Sequence, residues 1–197
     1  MNATPPEARA EYSRGQSGPE GASAVFTAAP VAVLLGALAL PGVAAPASSR
    51  TQVALTSLEL GVLDQLNSIR IQHDLVPLTL SSSLTDASAQ HSRQMAADGY
   101  FKHESYNGAA FWHRIGRWYT SSGYSYWSVG ENLLWSSPNV TPAVALRMWM
   151  ESPEHRANIL NPAWREIGVV ALHVGAAPGT YGGRPVTIIT TDFGVRR

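Results

Sequence analysis

The sequence predicts an α+β domain built on an antiparallel sheet, and three observations carry that expectation. Two amphipathic helix patterns come first, at about 55–69 and 83–99; an apolar strand candidate at 129–135 is interleaved among helices; and two β-branched runs, 165–174 and 185–194, close the chain as a hairpin. A doubly wound parallel sheet would instead need strands and helices in regular alternation. The 197 residues suffice for one domain with a sizeable core.

The first pattern, "TSLELGVLDQLNSIRIQHD", places Leu55, Leu58, Val62, Leu66 and Ile69 at three- and four-residue steps, the period of one helix face. Thr56 and Glu59 form a capping-box start. Pro77 then pushes Val76 out of helical geometry, so "LVPLTLS" reads as an extended connector. In "SSLTDASAQHSRQMAADGY", Ser83 three before Asp86 predicts a second capped helix that Gly99 ends, with Leu84, Ala87, Ser88, His91 and Met95 as its buried stripe. His91 on that stripe reads as a packed histidine with a local hydrogen-bond partner.

"NGAAFWHRIGRWY" makes a short helix, and a Gly/Ser/Tyr-rich loop leads to Trp127. "VGENLLW" alternates as a strand, in which Gly130 lets a neighbouring backbone come close. Another helix spans about Thr141 to Met150, with Pro142 suited to its first turn. In "SPEHRANIL", Ser152 before Pro153 marks a hydroxyl N-cap, so Glu151 ends one helix and Glu154 begins the next. "GAAPGTYGG" joins the two closing strands.

Composition narrows the function classes. Lys+Arg and Asp+Glu are both 14, so no basic field draws in nucleic acid or an anionic membrane. Cysteine is absent, which excludes disulfides, thiol catalysis and cysteine zinc sites; a metal would have to sit on His, Asp or Glu. Lys102 is the single lysine beside abundant alanine, a bias that suits a GC-rich bacterial genome. From Ala24 to Ala47 the chain is uncharged, and its densest part, Val31 to Leu40, matches the apolar region of an export signal. A cleaved signal is the first expectation and an uncleaved anchor the second, and either puts the rest of the chain outside the cell. Residues 1–50 are therefore set apart from a domain at 51–197.

Three residues stand out for chemistry. Glu131 is an acid on an apolar strand, where an unpaired charge costs several kcal/mol. His103 follows the second helix beside Glu104, and His155 opens the "SPEHRANIL" helix, whose positive end disfavours an imidazolium. Glu154 has a sufficient structural reason in that same helix end. His173, beside valines on a closing strand, reads as satisfied or edge-facing, and His113 has no placement from sequence. No HExxH, GxSxG, P-loop or GxGxxG motif occurs.

Taken in order, "LNSIRIQHDLVPLTLSSSLTDASAQHSRQMAADGYFKH", "VGENLLW", "MWMESPEHRANILNPAWREIGVV" and "TDFG" resemble the CAP superfamily of cysteine-rich secretory proteins, venom antigens and pathogenesis-related proteins, in its bacterial SCP-like branch. The resemblance runs from about Leu58 to Gly194. It implies a three-layer α-β-α sandwich with a central antiparallel sheet, and a cleft lined by His103, Glu131 and His155. In the family that cleft carries two histidines and two acids, and some members hold zinc or another divalent ion through the histidine pair, here His103 and His155. Three departures accompany it: the chain has no cysteine for the disulfides of the animal and plant relatives, Glu154 stands where a glycine commonly precedes the second cleft histidine, and Glu151, Glu154 and Glu104 all compete as the second acid.

The expected function is a secreted or surface-attached module that binds through this His/Glu cleft. Lipid or sterol ligands, or an envelope or host protein, are what the resemblance implies as partners, and the N-terminal segment is the only expected membrane contact. Two rivals remain. One is a metal-assisted hydrolase with His103 and His155 on the ion and Glu131 as general base; the other is a cell-envelope structural protein with a vestigial cleft. Trp112, Trp118 and Trp127 are contact candidates, at least half of them expected in the core.

Overall fold

The computed structural model describes residues 55–197 and the backbone strand Ala8–Arg14. The expected export segment, Ala24–Ala47, lies outside the described residues. In chain order the elements are β1 (Ala8–Arg14), α1 (Ser57–Gln72), β2 (Thr79–Leu80), α2 (Ser82–Asp98), α3 (Phe111–Trp118), β3 (Trp127–Ser136), α4 (Pro142–Glu151), α5 (Pro153–Ile159), β4 (Glu166–Ala177) and β5 (Arg184–Arg196). The sheet runs β1-β3-β5-β4-β2, antiparallel except where the two residues of β2 lie parallel to β4.

Helices cover both faces of the sheet, which makes the α-β-α sandwich. On one face α2 and α3 pack Leu84, Met95, Phe111 and Ile115 against Val129, Leu133 and Ile188. On the other, Val62 and Leu66 of α1, Trp149 of α4 and Ile159 of α5 pack against Leu134, Ile189 and Phe193. β3 accordingly lacks the alternating exposure that its sequence suggests: it is buried continuously from Ser128 to Ser136, because each face meets a helical layer.

Helix starts follow the sequence unevenly. At α1 the Thr56 side chain accepts from Glu59 N, and Glu59 Oε2 accepts in return from Thr56 N at 2.8 Å. Glu59 Oε1 also accepts from Ala171 N, 2.9 Å, so the same cap ties α1 to β4. The expected Ser83–Asp86 box does not form. Pairing of Leu80 with Ile167 and the bond from Ser81 N to Ile167 O pin the chain earlier, so α2 begins at Ser82 with Ser81 as a cap that makes no side-chain bond. Nor does the Ser152 hydroxyl cap α5. That residue also closes α4 through its N–H to Trp149 O, and it links two helices by backbone alone.

The α1 stripe contains a residue that hydrophobic spacing passes over. Arg70 is fully buried, while Leu58 and Ile69 are only partly covered. Its guanidinium donates to the carbonyls of Val76 (3.1 Å), Ile159 (2.7 Å) and Asn161 (3.0 Å), fastening the end of α5 to α1. Two glycines mark close approaches. A Cβ on Gly168 would lie 2.2 Å from the Leu84 carbonyl carbon, so glycine lets α2 settle on β4. At Gly130 the close neighbours are the Asn158 and Trp164 side chains rather than a backbone, with Asn158 Oδ1 2.7 Å from an added Cβ.

Candidate functional site

Glu131 sits at mid-strand in β3, fully buried, and faces the α2/α3 layer. Charge around it compensates for the lost water. His103 Nδ1 donates to Glu131 Oε1 at 2.7 Å, Arg114 of α3 donates to Oε2 through Nη2, and His91 Nε2 lies 4.0 Å from Oε1. Arg114 also donates through Nη1 to His103 O at 3.2 Å, so the guanidinium holds both the carboxylate and the loop bearing the histidine. Gly99, left-handed at φ 68°, ends α2 and turns the chain into that loop. His91 Nε2 donates to Lys102 O at 3.0 Å and steadies the loop from below.

The local field follows from this arrangement. Burial alone would raise the pKa of Glu131, but Arg114, His91 and His103 together outweigh it and hold the carboxyl well below the usual range. His91 moves the other way: burial pushes it down to about 4 despite the attraction of Glu131. It is thus neutral at pH 7, with its proton on Nε2.

A second buried acid completes the cluster. Asp192 of β5 is directly opposite Glu131 in the strand register and fully buried. Burial first, and the Glu131 charge second, raise its pKa well above the usual carboxylate range. Hydrogen counting agrees. Ser88 Oγ lies 3.0 Å from Leu84 O and 2.9 Å from Asp192 Oδ2, and its one hydrogen cannot serve both. The carbonyl can only accept, so a protonated Asp192 donating to Ser88 Oγ satisfies all three groups.

The other face of β3 is chemically different. Asn132, next to Glu131 and therefore pointing the opposite way, accepts from Asn158 Nδ2 of α5 at 2.9 Å, and Trp164 Nε1 donates to Asn158 O at 3.0 Å. Asn132 Nδ2 donates in turn to His155 O at 3.4 Å. His155 is buried on this helix. The structure thus joins His103 to Glu131 directly and places His155 on the helix packed against the opposite face of the same strand. β1 pairs antiparallel with β3, Ser13 opposite Glu131 and Tyr12 opposite Asn132.

None of the acids weighed as the second cleft carboxylate is buried. Glu104 and Glu154 are exposed, and among the described residues Glu151 reaches only Arg147, 3.9 Å away along α4. The acid that meets Glu131 is Asp192, inside the "TDFG" motif but not singled out by sequence reasoning. Strand pairing was the missing signal: aligning "GENLL" against "TTDFG" antiparallel sets Glu131 against Asp192. His91, read as a packed residue with a local partner, has that partner in Lys102 and also lies beside the carboxylate. Arg114 carried no chemical reading at all. His173 is exposed, 3.2 Å from Thr187 Oγ1, and His113 is exposed on α3. Trp112 and Trp127 pack partly against the core, and Trp118 is exposed.

For a divalent ion, His103 has the orientation of a metal-ligating histidine, with Nδ1 fixed by a carboxylate and Nε2 left as the coordinating atom. Among the described residues, however, no three His, Asp or Glu side chains are arranged to hold a metal ion. A closed three- or four-ligand zinc site therefore does not fit this donor set.

A three-layer sandwich with a largely antiparallel central sheet is the architecture of the CAP class of domain. The model of the cysteine-rich secretory protein (CAP) family matches residues 63–184, and the chain belongs to that family. It is 30% identical over 123 residues to the uncharacterized protein YkwD of Bacillus subtilis, a match covering 62% of this chain and 46% of that one. The uncharacterized membrane protein YlbC of the same organism is 27% identical over 114 residues, covering 58% of this chain and 31% of YlbC. The matched region thus spans less than half the length of these curated relatives. Among solved structures, an extracellular SCP-domain protein from Bacillus anthracis superposes with TM-score 0.53 at 25% identity, covering 74% of this chain and 45% of that one. An outer surface protein of Borrelia burgdorferi superposes at 0.55 with 17% identity, covering 69% of this chain and 90% of that one, and shares the fold.

Proposed function

We propose that this chain works outside the cell, secreted or held at the surface, as a binding module whose contact point is the His103 side of the cluster. The observation that supports binding over hydrolysis is the state of Glu131. Both of its oxygens are occupied, by His103 and Arg114, and its proton affinity is depressed. A general base needs a pKa near the working pH and a lone pair facing the water it activates. Glu131 has neither, and its role is to orient His103 and hold the loop. His103 Nε2, which makes no hydrogen bond among the described residues, is then the atom left for a ligand, whether an organic donor or a loosely held divalent ion.

An extracellular location is supported by the similarity to the extracellular Bacillus anthracis protein and by the uncharged segment at Ala24–Ala47. Lipid or sterol, or an envelope protein, is the partner class that the family resemblance suggests.

Calorimetry with Zn²⁺ tests the contact point on the purified full chain. Wild type is expected to bind weakly and His103→Ala not at all, while Glu154→Gln behaves as wild type. Equal zinc uptake by wild type and His103→Ala would overturn the assignment of His103 as the contact.

A further inference from the structure

The place of β1 in the chain conflicts with its place in the sheet. In space it is the outermost strand, its seven residues paired antiparallel to β3 from Ala8 opposite Ser136 to Arg14 opposite Gly130. In sequence it precedes the uncharged segment Ala24–Ala47, whereas every other element follows that segment. If the segment is a cleaved signal, residues 8–14 leave with it; if it is an uncleaved anchor, they stay on the opposite side of the membrane from the domain. Under the extracellular location proposed above, on which this inference rests, β1 and β3 are parted in the exported protein. β5 pairs with only one edge of β3, so the other edge is then bare.

That edge has none of the features that protect an exposed one. Native edge strands are short, bulged, or marked with lysine or proline. β3 runs ten residues, contains neither lysine nor proline, and keeps unbroken register with β5 from Trp127 opposite Arg196 to Ser136 opposite Thr187. The irregularity in this sheet falls elsewhere, between Val174 and Ala177 of β4. β3 is thus built as an interior strand, with main-chain groups on both edges that require partners.

We propose that the exported domain captures an extended, proline-free segment of another protein by strand addition on β3, in the seat that β1 fills here. Affinity in this mode comes from main-chain hydrogen bonds, and β1 shows that the seat accepts a seven-residue antiparallel strand. Its register passes Glu131, so the captured segment crosses the domain at the level of the His103 cluster. A second copy of the domain fits this edge poorly. α5 packs on β3 and also on β1, and it sits at mid-strand, where Asn158 meets Gly130 and Asn132. Two β3 edges paired antiparallel along their length are related by a twofold axis normal to the sheet, which brings both α5 helices to the same place on the same face. A lone strand avoids that collision.

The test compares two forms of the protein: the full chain purified from the cytoplasm, which carries β1, and the exported form, taken from the medium or, if anchored, shaved from the outer face by protease. Each is titrated in EDTA with a fluorescein-labelled peptide of residues 6–16, followed by anisotropy, and hydrogen exchange locates the contact. Expected is saturable binding by the exported form, at least about tenfold weaker in the full chain because β1 competes in cis, with exchange slowed within residues 130–136. A peptide carrying both Glu11→Pro and Tyr12→Pro should bind at least about tenfold more weakly, since adjacent residues point their N–H groups to opposite edges and one of the two always faces β3. No saturable binding by the exported form, equal binding of the proline peptide, or protection confined to residues outside 130–136 would overturn the proposal. So would an exported form that retains residues 8–14 on β3, or one that dimerises through this edge instead of taking the peptide. Absence of any exported form would remove the extracellular reading as well, whereas export without peptide binding removes this inference alone. EDTA keeps the result independent of zinc at His103.

Discussion

The two faces of β3 bury polar side chains in opposite ways. Toward α2 and α3 stands a charged cluster, Glu131 with Arg114, His91, His103 and Asp192; toward α5 stands a neutral one, Asn132 with Asn158 and Trp164. Charges bind each other strongly in a dry interior but leave a large penalty when one partner goes, whereas amides lose little beyond the bond itself. The charged face also responds to pH through His91 and Glu131, whereas Asn132, Asn158 and Trp164 carry no titrating group. The difference shows why family resemblance marks Glu131 so clearly: only the charged face has a composition that is costly without its partners.

The largest effect that would break this contrast is loss of Arg114. Arg114→Met leaves Glu131 buried with a single hydrogen-bonded side-chain partner, His103, and is expected to lower unfolding free energy by about 3–5 kcal/mol, read by urea denaturation. Adding Glu131→Gln to it should recover part of that loss, and strict additivity in the double-mutant cycle would show that the two groups do not act as a pair.

Acid should come next. His91 has its folded pKa lowered to about 4 from an ordinary 6.5, so its contribution is present above 6.5 and lost as pH falls through that window. That amounts to about 3 kcal/mol. Glu131, also depressed, keeps its contribution until pH drops below the usual carboxylate range. Thermal melts from pH 7 to pH 4 should show the decline in wild type and a flatter curve in His91→Gln; parallel curves would remove His91 as the cause.

On the amide face, Asn158→Ala is expected to cost about 1–3 kcal/mol, with the same loss at pH 5 and pH 8. A pH-dependent loss there would erase the distinction between the faces. The smallest effect belongs to Asp192. Its raised pKa means that its contribution is full below the ordinary carboxylate value and falls as pH rises toward the folded one. Asp192→Asn should therefore match wild type near pH 4 and melt slightly higher at alkaline pH, and a large loss at neutral pH would show that a charged Asp192 is needed.

Much of the fold was legible along the chain. The Thr56–Glu59 cap, the α2 stripe with Gly99 at its end, Pro142 opening α4 and the closing hairpin all depend on residues within a few positions of one another, where periodicity and capping chemistry act. Local rules failed where a distant contact intervened. The start of α2 moved because β2 is held by β4, and the Ser152 hydroxyl did not cap because two helices share that residue. The site divided along the same line. Glu131 was legible as an acid out of place, but its satisfaction by Arg114 and His91 came from separate helices, and no spacing rule links positions 91, 114, 131 and 192.

Sequence alone determined the elements, the lack of cysteine chemistry, the charge balance and the oddness of Glu131, because each is a property of neighbours or of composition. Tertiary structure decided which groups share a proton and which share a face. Cross-strand register set Asp192 opposite Glu131, the pleat turned Asn132 and α5 to the other side, and burial together with neighbouring charge changed the proton affinities of His91, Glu131 and Asp192. These depend on desolvation and on separations of a few ångströms, which arise only when remote segments meet.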